Sequence, residues 1–482
     1  MSTASVDVPV GTPPAWRRTV VLAVIMGCQL MMVLDTSIVT TALPHVQREL
    51  GFTDTSLSWV QNTYALAFGG LLLLGARTGD LLGRRRVFAA GVGLFTAASL
   101  MAGLAPSADV LILARVLQGI ASAFAIPATL ALLVQSFPQP EERTRAISIY
   151  SAVIGAGGSA GIIVGGLFTD LLSWRWGMLI NVPIGIAVLL LAPRFLPETP
   201  RAAGRVDVPG ALTVTSGMTA LVFGLVSAAE SGWTAPVTIA TLGAAFALLV
   251  AFVLIERRAI QPITPLGLFR DVTRSGAYLV RILIVGAMFS TFYFLSQYLQ
   301  NVQGFSAVVA GLSYVPLTLM FFAMVYLVRP LSARIGKPLL LLVSLAVAGG
   351  GMLWLSAIDT DTPFFSGILP PLLVLGVGQG IAIILLTEFG MTRVAPEDNG
   401  AASGLVNTAH QLGGTIGLAL LTVVFTAAAA NATTSAGAQA DAGAYAAVFQ
   451  FATWFYVLAV VIAAVMVTAD RRRGCALSRR RG

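Results

Sequence analysis

The sequence has few charged residues for its length. Only 10% of the 482 residues are Asp, Glu, Lys or Arg, whereas about a quarter are charged in a typical soluble domain. Hydrophobic residues make up 57% of the chain, and the mean hydropathy is +0.86. This balance excludes an ordinary soluble domain and predicts an integral membrane protein.

Cysteine and histidine are also scarce, with two residues of each kind. Cys28 lies in the first apolar segment and Cys475 in the C-terminal tail, so the two thiols are expected at different depths and cannot form a structural disulfide. His45 and His410 are too few and too far apart in the chain for a zinc centre. We therefore expect no bound metal and no disulfide framework.

Motifs that supply chemical energy or catalysis are missing as well. The sequence has no G-x-x-x-x-G-K-[ST] phosphate-binding loop, because the nearest match, ARIGKP, lacks the first glycine and the hydroxyl residue. It shows no constellation of a nucleophile with a base. We therefore expect neither an enzyme nor a cofactor, and the energy for any transport must come from an ion gradient or from the substrate's own gradient.

Many apolar segments are long enough to cross a bilayer, which takes about 20 residues. Only helices and closed barrels can span lipid, and runs of this length predict an all-α integral membrane bundle. The first segment is interpreted as an uncleaved span rather than a signal peptide. Fourteen transmembrane helices are predicted, and they start near Val20, Leu57, Val87, Asp109, Ile147, Gly177, Gly210, Pro236, Gly276, Ala307, Pro338, Ser366, Gly400 and Tyr445.

Basic residues are strongly biased toward one side of these spans. The termini and the loops that follow even-numbered spans hold nearly all of the 29 Lys and Arg residues, whereas the opposite loops hold only Arg48 and Arg175. By the positive-inside rule, both termini are cytoplasmic in a multi-pass protein of a bacterial cytoplasmic membrane. The bias explains the net charge of +8 without a nucleic-acid partner. The arginine-rich tail either only sets this topology or also contacts anionic membrane lipid.

The two ends of the chain resemble each other weakly. Gly51, before the second span, matches Gly304, before the tenth, and Gly83 matches Gly336 at the same separation. GGSAG in the fifth span recurs as GGTIG in the thirteenth. Such a repeat predicts a transporter built from two parallel halves. The expected parts are an N-terminal six-helix half over residues 1–196, two inserted spans over 197–275, a C-terminal six-helix half over 276–468 and a basic cytoplasmic tail over 469–482.

Two charged residues are predicted to lie deep within spans. Asp35 is in span one, in the stretch LMMVLDTSIVTTALP, and Arg115 is in span four at a similar distance from the outer surface. A charge inside the bilayer is costly, so each needs a partner, and their common depth makes them candidates for each other. The alternative is that Arg115 bonds only backbone carbonyls. The four hydroxyl residues that follow Asp35 are expected to hydrate it, which makes it a candidate proton carrier.

The loop GARTGDLLGRRRVF between spans two and three combines glycines with a cluster of charges. Gly79 and Gly83 allow a tight turn, and Asp80 sits among arginines that include Arg84 and Arg85. The bland interpretation is a positive-inside loop with one incidental acid. However, the loop resembles the signature G-x-x-x-D-x-x-G-R-[RK] of the major facilitator superfamily, except that alanine replaces the first glycine. The resemblance implies that these five residues form a conformational latch between the halves.

Other motifs resemble the fourteen-span drug:proton antiporter branch of that superfamily. They are LDTSIVTTALP in span one, WRWGMLINVPIG in span six and NGAASGLVNTAHQLGGTIGLA in span thirteen. The sequence around Arg115 resembles a span-four motif whose arginine is implicated in proton transfer. In span five, GAGGSAGIIVGG resembles the antiporter motif but has Ile162 in place of its proline. Its glycines also fit plain helix packing; they are Gly157, Gly161, Gly165 and Gly166.

The remaining polar residues of the spans support less specific interpretations. His410 stands where this branch commonly has arginine, and it is either a replacement with different proton behaviour or a packed polar residue. Arg281 and Glu388 lie near the cytoplasmic ends of their spans, where they either pair or snorkel. Glu388, His410 and Gln411 are candidates for a substrate or proton path. Apolar candidates for a drug cavity or for the core are Met31, Met32, Tyr64, Phe68, Tyr293, Tyr298 and Phe321.

Together these features predict a proton-coupled secondary transporter that exports hydrophobic or cationic drugs by rocking of two six-helix halves. The resemblance supplies most of this specificity, whereas the spans, the orientation and the repeat come from the residues themselves. The same fold serves other functions. The alternatives are a facilitator that imports a nutrient such as a sugar or an amino acid, an exporter of an endogenous metabolite, and a receptor or scaffold that transports nothing.

Overall fold

The computed structural model describes residues 15–198, 207–259, 266–394, 399–431 and 438–478. Within these ranges every regular element is helical, which confirms the predicted all-α class. The side chains of some helix residues inside these ranges, Asp80 among them, are not described.

Eight helices form the first part of the chain. Helix α1 is 36 residues long and contains Pro44. Its neighbours turn sharply, and Gly83 alone separates α3 from α4. The bounds are α1 Ala15–Leu50, α2 Asp54–Leu57, α3 Trp59–Leu82, α4 Arg84–Gly103, α5 Ala108–Ser136, α6 Pro140–Leu171, α7 Trp174–Leu179 and α8 Asn181–Phe195.

Nine further helices follow. A short 3₁₀ helix, Leu266–Arg270, precedes α11, and one π-helical turn, Phe364–Ile368, leads into α15. The bounds are α9 Val208–Ser231, α10 Pro236–Arg258, α11 Val272–Asn301, α12 Ala307–Leu312, α13 Val315–Ile335, α14 Lys337–Leu355, α15 Leu369–Gly390, α16 Asn399–Asn431 and α17 Ala438–Ser478.

All fourteen predicted spans fall on helices. Twelve helical segments among the described residues are long and apolar enough to cross a membrane. The other two predicted spans, the second and the fifth, correspond to α3 and α6, which have 24 and 32 residues but include side chains that are not described. The chain is therefore a multi-pass membrane protein.

The repeat is visible in the backbone. Gly51 and Gly304 have φ values of +72° and +68°, and Gly83 and Gly336 have +103° and +80°. Residues other than glycine rarely adopt such φ values. Each matched pair of glycines therefore makes the same kind of turn at the same point of its part of the chain. The matches that indicated a duplication thus mark equivalent turns.

The apolar core is shared at one end of the bundle and divided at the other. We call the end where α1 begins the near end and the end where α1 finishes the far end. One large buried cluster joins both parts of the chain and includes Val46 and Leu57 together with Tyr298 and Tyr314. Two other clusters are confined to one part each: α1, α3, α4, α5, α6 and α8 supply most of one, and α11, α16 and the short 3₁₀ helix supply the other. The two parts of the bundle therefore separate toward the near end.

The inserted helices α9 and α10 form a hairpin on the side of the bundle. Helix α9 packs against both α3 and α16, through a cluster that includes Leu66, Val222 and Ala419. The Thr215 hydroxyl donates a hydrogen bond to the Gly70 carbonyl at 2.9 Å. Helix α10 packs on α9 and leaves most of its apolar surface exposed. The hairpin thus covers the seam between α3 and α16 and presents an apolar face to lipid.

Candidate functional site

The carboxylate of Asp35 lies in the interior of the bundle, where its side chain is fully buried. Three side chains from two other helices donate hydrogen bonds to it. Arg115 of α5 forms an ion pair with Oδ2. Gln118 of α5 and Asn181 of α8 donate to Oδ1 at 2.8 Å and 3.0 Å. Both carboxylate oxygens are therefore occupied, as a buried charge requires.

The guanidinium of Arg115 is just as well enclosed, with 1% of the side chain exposed. Besides Asp35, it donates to the carbonyl of Val60 at 2.9 Å and to Gln118 Oε1 at 2.8 Å. Its central carbon lies 4.6 Å from the centre of the Tyr64 ring, within the range of a cation–π interaction. Arg115 and Gln118 are three residues apart, so both project from the same face of α5. The prediction of an Arg115–Asp35 contact is confirmed, and a backbone carbonyl is bound in addition.

Gln118 and Asn181 are partners of Asp35 that the sequence did not single out. Both stand in motifs noted above, the R-x-x-Q-G segment and WRWGMLINVPIG. Amides inside apolar spans are the only signal that could have identified them. Gln118 also donates to the hydroxyl of Ser99, which links α4 to the cluster.

The threonines after Asp35 donate hydrogen bonds within their own helix, and their expected role in hydrating the carboxylate stays a prediction. Thr36, Thr40 and Thr41 donate to helix carbonyls three or four residues earlier, at 3.0 to 3.1 Å. This is the usual bond of threonine within a helix, because the hydroxyl lies close to the preceding turn. The carboxylate is held by amides and a guanidinium from other helices instead. Thr36, Ser37 and Thr40 line a cavity beside it.

A cavity of about 930 Å³ lies between the two parts of the bundle, next to this cluster. Its walls come from α1, α3, α4, α5 and α6 on one side and from α11, α13, α15 and α16 on the other. It extends toward the near end, where Arg84 belongs to its lining. Aromatic rings cover much of the wall; they are Tyr64, Phe68, Tyr150, Phe289, Phe292, Phe321 and Phe322. Of the apolar candidates from the sequence, Met32, Tyr64, Phe68 and Phe321 line the cavity, whereas Met31, Tyr293 and Tyr298 are buried in the core.

The polar candidates of the second part of the chain separate into two places. His410 and Gln411 line the cavity, and the His410 ring makes an edge contact with Phe289 at 5.8 Å. Glu388 is half-exposed and pairs with Lys337 at 2.7 Å. Arg281 instead donates to the Thr387 hydroxyl at 2.8 Å. The prediction that Arg281 pairs with Glu388 is therefore wrong. Thr387 and Glu388 are adjacent on α15, but Thr387 faces α11 and Glu388 faces the start of α14.

The sequence model of the Major Facilitator Superfamily matches this chain over residues 25–211 and again over 208–418. The chain belongs to the major facilitator superfamily. It is accordingly a membrane transporter rather than an enzyme.

Relatives and solved structures agree with this family. The puromycin resistance protein pur8 of Streptomyces alboniger is 40% identical over 94% of this chain and 92% of its own length. The cephamycin export protein CmcT of Amycolatopsis lactamdurans is 40% identical over 84% of this chain and 85% of its own. A bacterial homologue of the lysosomal transporter Spinster, solved in an inward-facing and occupied conformation, has a TM-score of 0.68 at 15% identity, covering 95% of this chain and 98% of that one. The last likeness concerns the fold alone.

The loop with the superfamily signature forms the α3–α4 turn. Gly83 adopts φ +103°, and Gly79 accepts its backbone hydrogen bond. Arg85 donates to the carbonyls of Pro193 and Leu196, both at 3.2 Å, and lies 3.3 Å from the Glu198 carboxylate. These contacts tie the turn to the end of α8. The side chain of Asp80, the acidic residue of the predicted latch, lies outside the described part of the structure.

The glycines of α6 bring two other helices close. A Cβ atom on Gly161 or Gly165 would lie 2.7 Å or less from atoms of α1, and one on Gly157 would lie 3.2 Å from Leu30. These three glycines therefore pack α6 against α1, as the spacing predicted. Gly166 points elsewhere: a Cβ atom there would lie 2.6 Å from the carbonyl oxygen of Ala307, in the other part of the bundle.

Further contacts close the far end around Gly166. The Asp170 carboxylate accepts hydrogen bonds from the backbone N–H groups of Ala307 and Val308 at 3.1 and 3.0 Å. Ser296 donates to the carbonyl of Thr40 at 3.3 Å. The cavity is thus sealed at the far end and extends toward the near end.

Proposed function

We propose that this transporter exports hydrophobic small molecules, antibiotics among them, across the cytoplasmic membrane in exchange for protons. The names of the relatives support export of antibiotics: one confers puromycin resistance and another exports a cephamycin. The observation that carries the coupling is the buried Asp35–Arg115 pair beside the cavity between the two parts of the bundle.

In this proposal the near end faces the cytoplasm, together with both termini. The bias of basic residues supports that orientation. The division of the core and the sealed far end then correspond to a state that faces inward, in which substrate enters from the cytoplasm. Residues 1–196 and 276–468 are the two halves that rock against each other, and residues 197–275 carry the inserted pair.

Coupling follows from the charge balance at Asp35. With the carboxylate ionised, Arg115 is neutralised where it stands. A proton on Asp35 removes the partner of a buried guanidinium, and an uncompensated buried charge costs about 3–5 kcal/mol. Proton binding therefore drives a rearrangement around Arg115, and we assign proton coupling to these two residues. Protons from outside load Asp35 in the outward-facing state and leave it in the inward-facing state.

Two further roles belong to the proposal. Gly79, Asp80, Gly83, Arg84 and Arg85 form the conformational latch that the superfamily signature implies. His410 and Gln411 contribute to the substrate path, because both line the cavity. Glu388, bound to Lys337 on a half-exposed surface, is left out of that path.

Everted membrane vesicles test the function. An antibiotic panel first identifies a compound against which the expressed protein protects, and vesicles energised by a proton gradient then take up that compound. We expect a protonophore to abolish uptake and Asp35→Asn to abolish proton-coupled uptake. Asp109→Asn is the matched control, because Asp109 is exposed in the first turn of α5. Full coupled uptake by Asp35→Asn would refute the assignment.

A further inference from the structure

The charges around the cavity are unsuited to an organic cation. Among the described lining residues, the charged side chains are Arg84 and Arg115, and there is no Asp or Glu. Asp35 lies behind the wall, with no exposed surface and with both oxygens bound to other side chains. Arg115 is already neutralised by Asp35, so among the described lining residues a cationic substrate would find no carboxylate to serve as its counter-charge.

The magnitudes decide against a lipophilic cation. A cation that leaves water without a counter-charge loses several kcal/mol of hydration energy even after relaxation. The aromatic rings of the wall attract cations, but each such interaction is much weaker than the hydration that the cation loses. An uncharged molecule has no charge to dehydrate, and it gains the full apolar contact with the wall.

The polar atoms of the wall indicate what an uncharged substrate must offer. Asn62 of α3 lines the cavity and is 1% exposed, yet neither its amide nitrogen nor its amide oxygen has a hydrogen-bond partner among the described residues. A buried polar atom without a partner is unfavourable, so a ligand that bonds to this side chain would relieve that cost. A carboxamide is both a donor and an acceptor, which matches an amide, a carbonyl or a hydroxyl group.

The opposite wall carries two more unpaired atoms. His410 of α16 and Gln379 of α15 line the cavity, and within the described part of the chain the buried atoms His410 Nδ1 and Gln379 Oε1 have no hydrogen-bond partner. They come from the second part of the chain, whereas Asn62 comes from the first. A substrate with polar groups at two points would thus contact both parts at once.

Building on the proposed export function, we propose that the substrates are uncharged amphiphiles that carry an amide, carbonyl or hydroxyl group, and that Asn62 determines this specificity. The proposal narrows the range given by the sequence, which included cationic drugs. Asn62 acts in two ways. Its amide forms hydrogen bonds with the substrate, and because the side chain is neutral it provides no counter-charge for a cation.

Growth inhibition with two classes of probe tests this proposal. A host without its own drug pumps expresses the full chain and is exposed to uncharged amides such as chloramphenicol and to permanent cations such as tetraphenylphosphonium, matched for partition into octanol. Compared with the host that lacks the protein, we expect the wild type to raise the inhibitory concentrations of the uncharged class about tenfold. The inhibitory concentrations of the cations should not change. Equal or better protection against the cations overturns the proposal.

Two substitutions at Asn62 separate its roles. Asn62→Leu keeps the branched shape and the number of side-chain heavy atoms but removes both polar atoms, so it should lose protection against the uncharged class and gain none against the cations. Asn62→Asp is nearly isosteric and adds the missing negative charge, so it should gain protection against cations. Asn301→Asp, at an exposed position at the end of α11 outside the cavity lining, is the control and should behave like the wild type.

Protein levels in the membrane are measured for every variant. If Asn62→Leu is absent from the membrane, Asn62→Asp alone decides, and unchanged selectivity in that variant overturns the role of Asn62. Protection against neither class by wild-type protein that is present in the membrane counts against the export function itself rather than against the substrate class.

Discussion

Two adjacent glycines of α6 provide a sharp test of how the halves meet. Gly165 faces α1 of its own half, and a Cβ atom there would lie 2.6 Å from the Thr41 hydroxyl. Gly166 faces α12 of the other half, where a Cβ atom would lie 2.6 Å from the Ala307 carbonyl oxygen. The same change, glycine to alanine, therefore overpacks a contact within one half at one position and a contact between the halves at the next.

Overpacking of this kind costs about 1–3 kcal/mol. For Gly165→Ala the cost falls on the folded half in every state of the transport cycle, so the melting temperature of the purified protein should drop. For Gly166→Ala the cost falls only on the state whose far end is closed. That state should lose population by about 5- to 150-fold relative to the state with an open far end, while the melting temperature changes little.

Two measurements separate these outcomes. Thermal unfolding in detergent reports the stability of the fold. Spin labels at Leu172→Cys and Asn301→Cys, both exposed at the far end on different halves, report its opening in a background without the native cysteines. Gly158→Ala is the control, because a Cβ atom at Gly158 meets nothing within 4 Å. Equal melting temperatures for the variants at Gly165 and Gly166, with unchanged distances between the labels, would refute this description of the interface.

Three further predictions concern other contacts. Arg115→Gln leaves the buried Asp35 uncompensated and should destabilise the protein by about 3–5 kcal/mol. Adding Asp35→Asn should restore much of the melting temperature but not proton-coupled uptake. A double variant that is no more stable than Arg115→Gln contradicts this prediction. Gly83→Ala introduces both a strained φ and a clash with a carboxylate oxygen 2.5 Å away, whereas Gly336→Ala introduces the strain alone, so the first should unfold at the lower temperature. Asp170→Ala removes the acceptor of two α12 N–H groups, and distances between labels at the far end should lengthen; unchanged distances would assign Asp170 no part in closing it.

The depth of a residue along its span was predictable from the sequence, but the direction in which its side chain projects from the helix was not. Asp35 and Arg115 lie at similar distances from the far end of antiparallel spans, so counting residues was enough to make them candidate partners. Whether Gln118 and Asn181 also reach Asp35 depends on how α1, α5 and α8 are rotated and cross. That rotation is set by packing over the whole bundle. The same limit explains why Glu388 pairs with Lys337 and not with Arg281.

The turns of the repeat were predictable for a local reason. A positive φ value is a property of one residue, and glycine is the residue that adopts it without strain. Glycines that match at equal separations in the sequence therefore predict matching turns, and such turns are found at Gly51 and Gly304 and at Gly83 and Gly336. The cavity could not be predicted in this way, because its walls combine residues from nine helices that are far apart in the chain.

The contacts at the far end explain how a sealed interface can still open. Between α6 and α12 the seal consists largely of backbone against glycine: Gly166 on Ala307, and Gly311 on the carbonyl oxygen of Ile162, 2.8 Å from where its Cβ would lie. Such contacts stabilise only while the surfaces touch, and they leave few unsatisfied polar groups when they part. Isoleucine at position 162, where the antiporter motif has proline, keeps the backbone N–H group and removes a cause of kinking in α6. The helix can therefore move as one rigid element, with Asp170 at its end as the main polar bond to break.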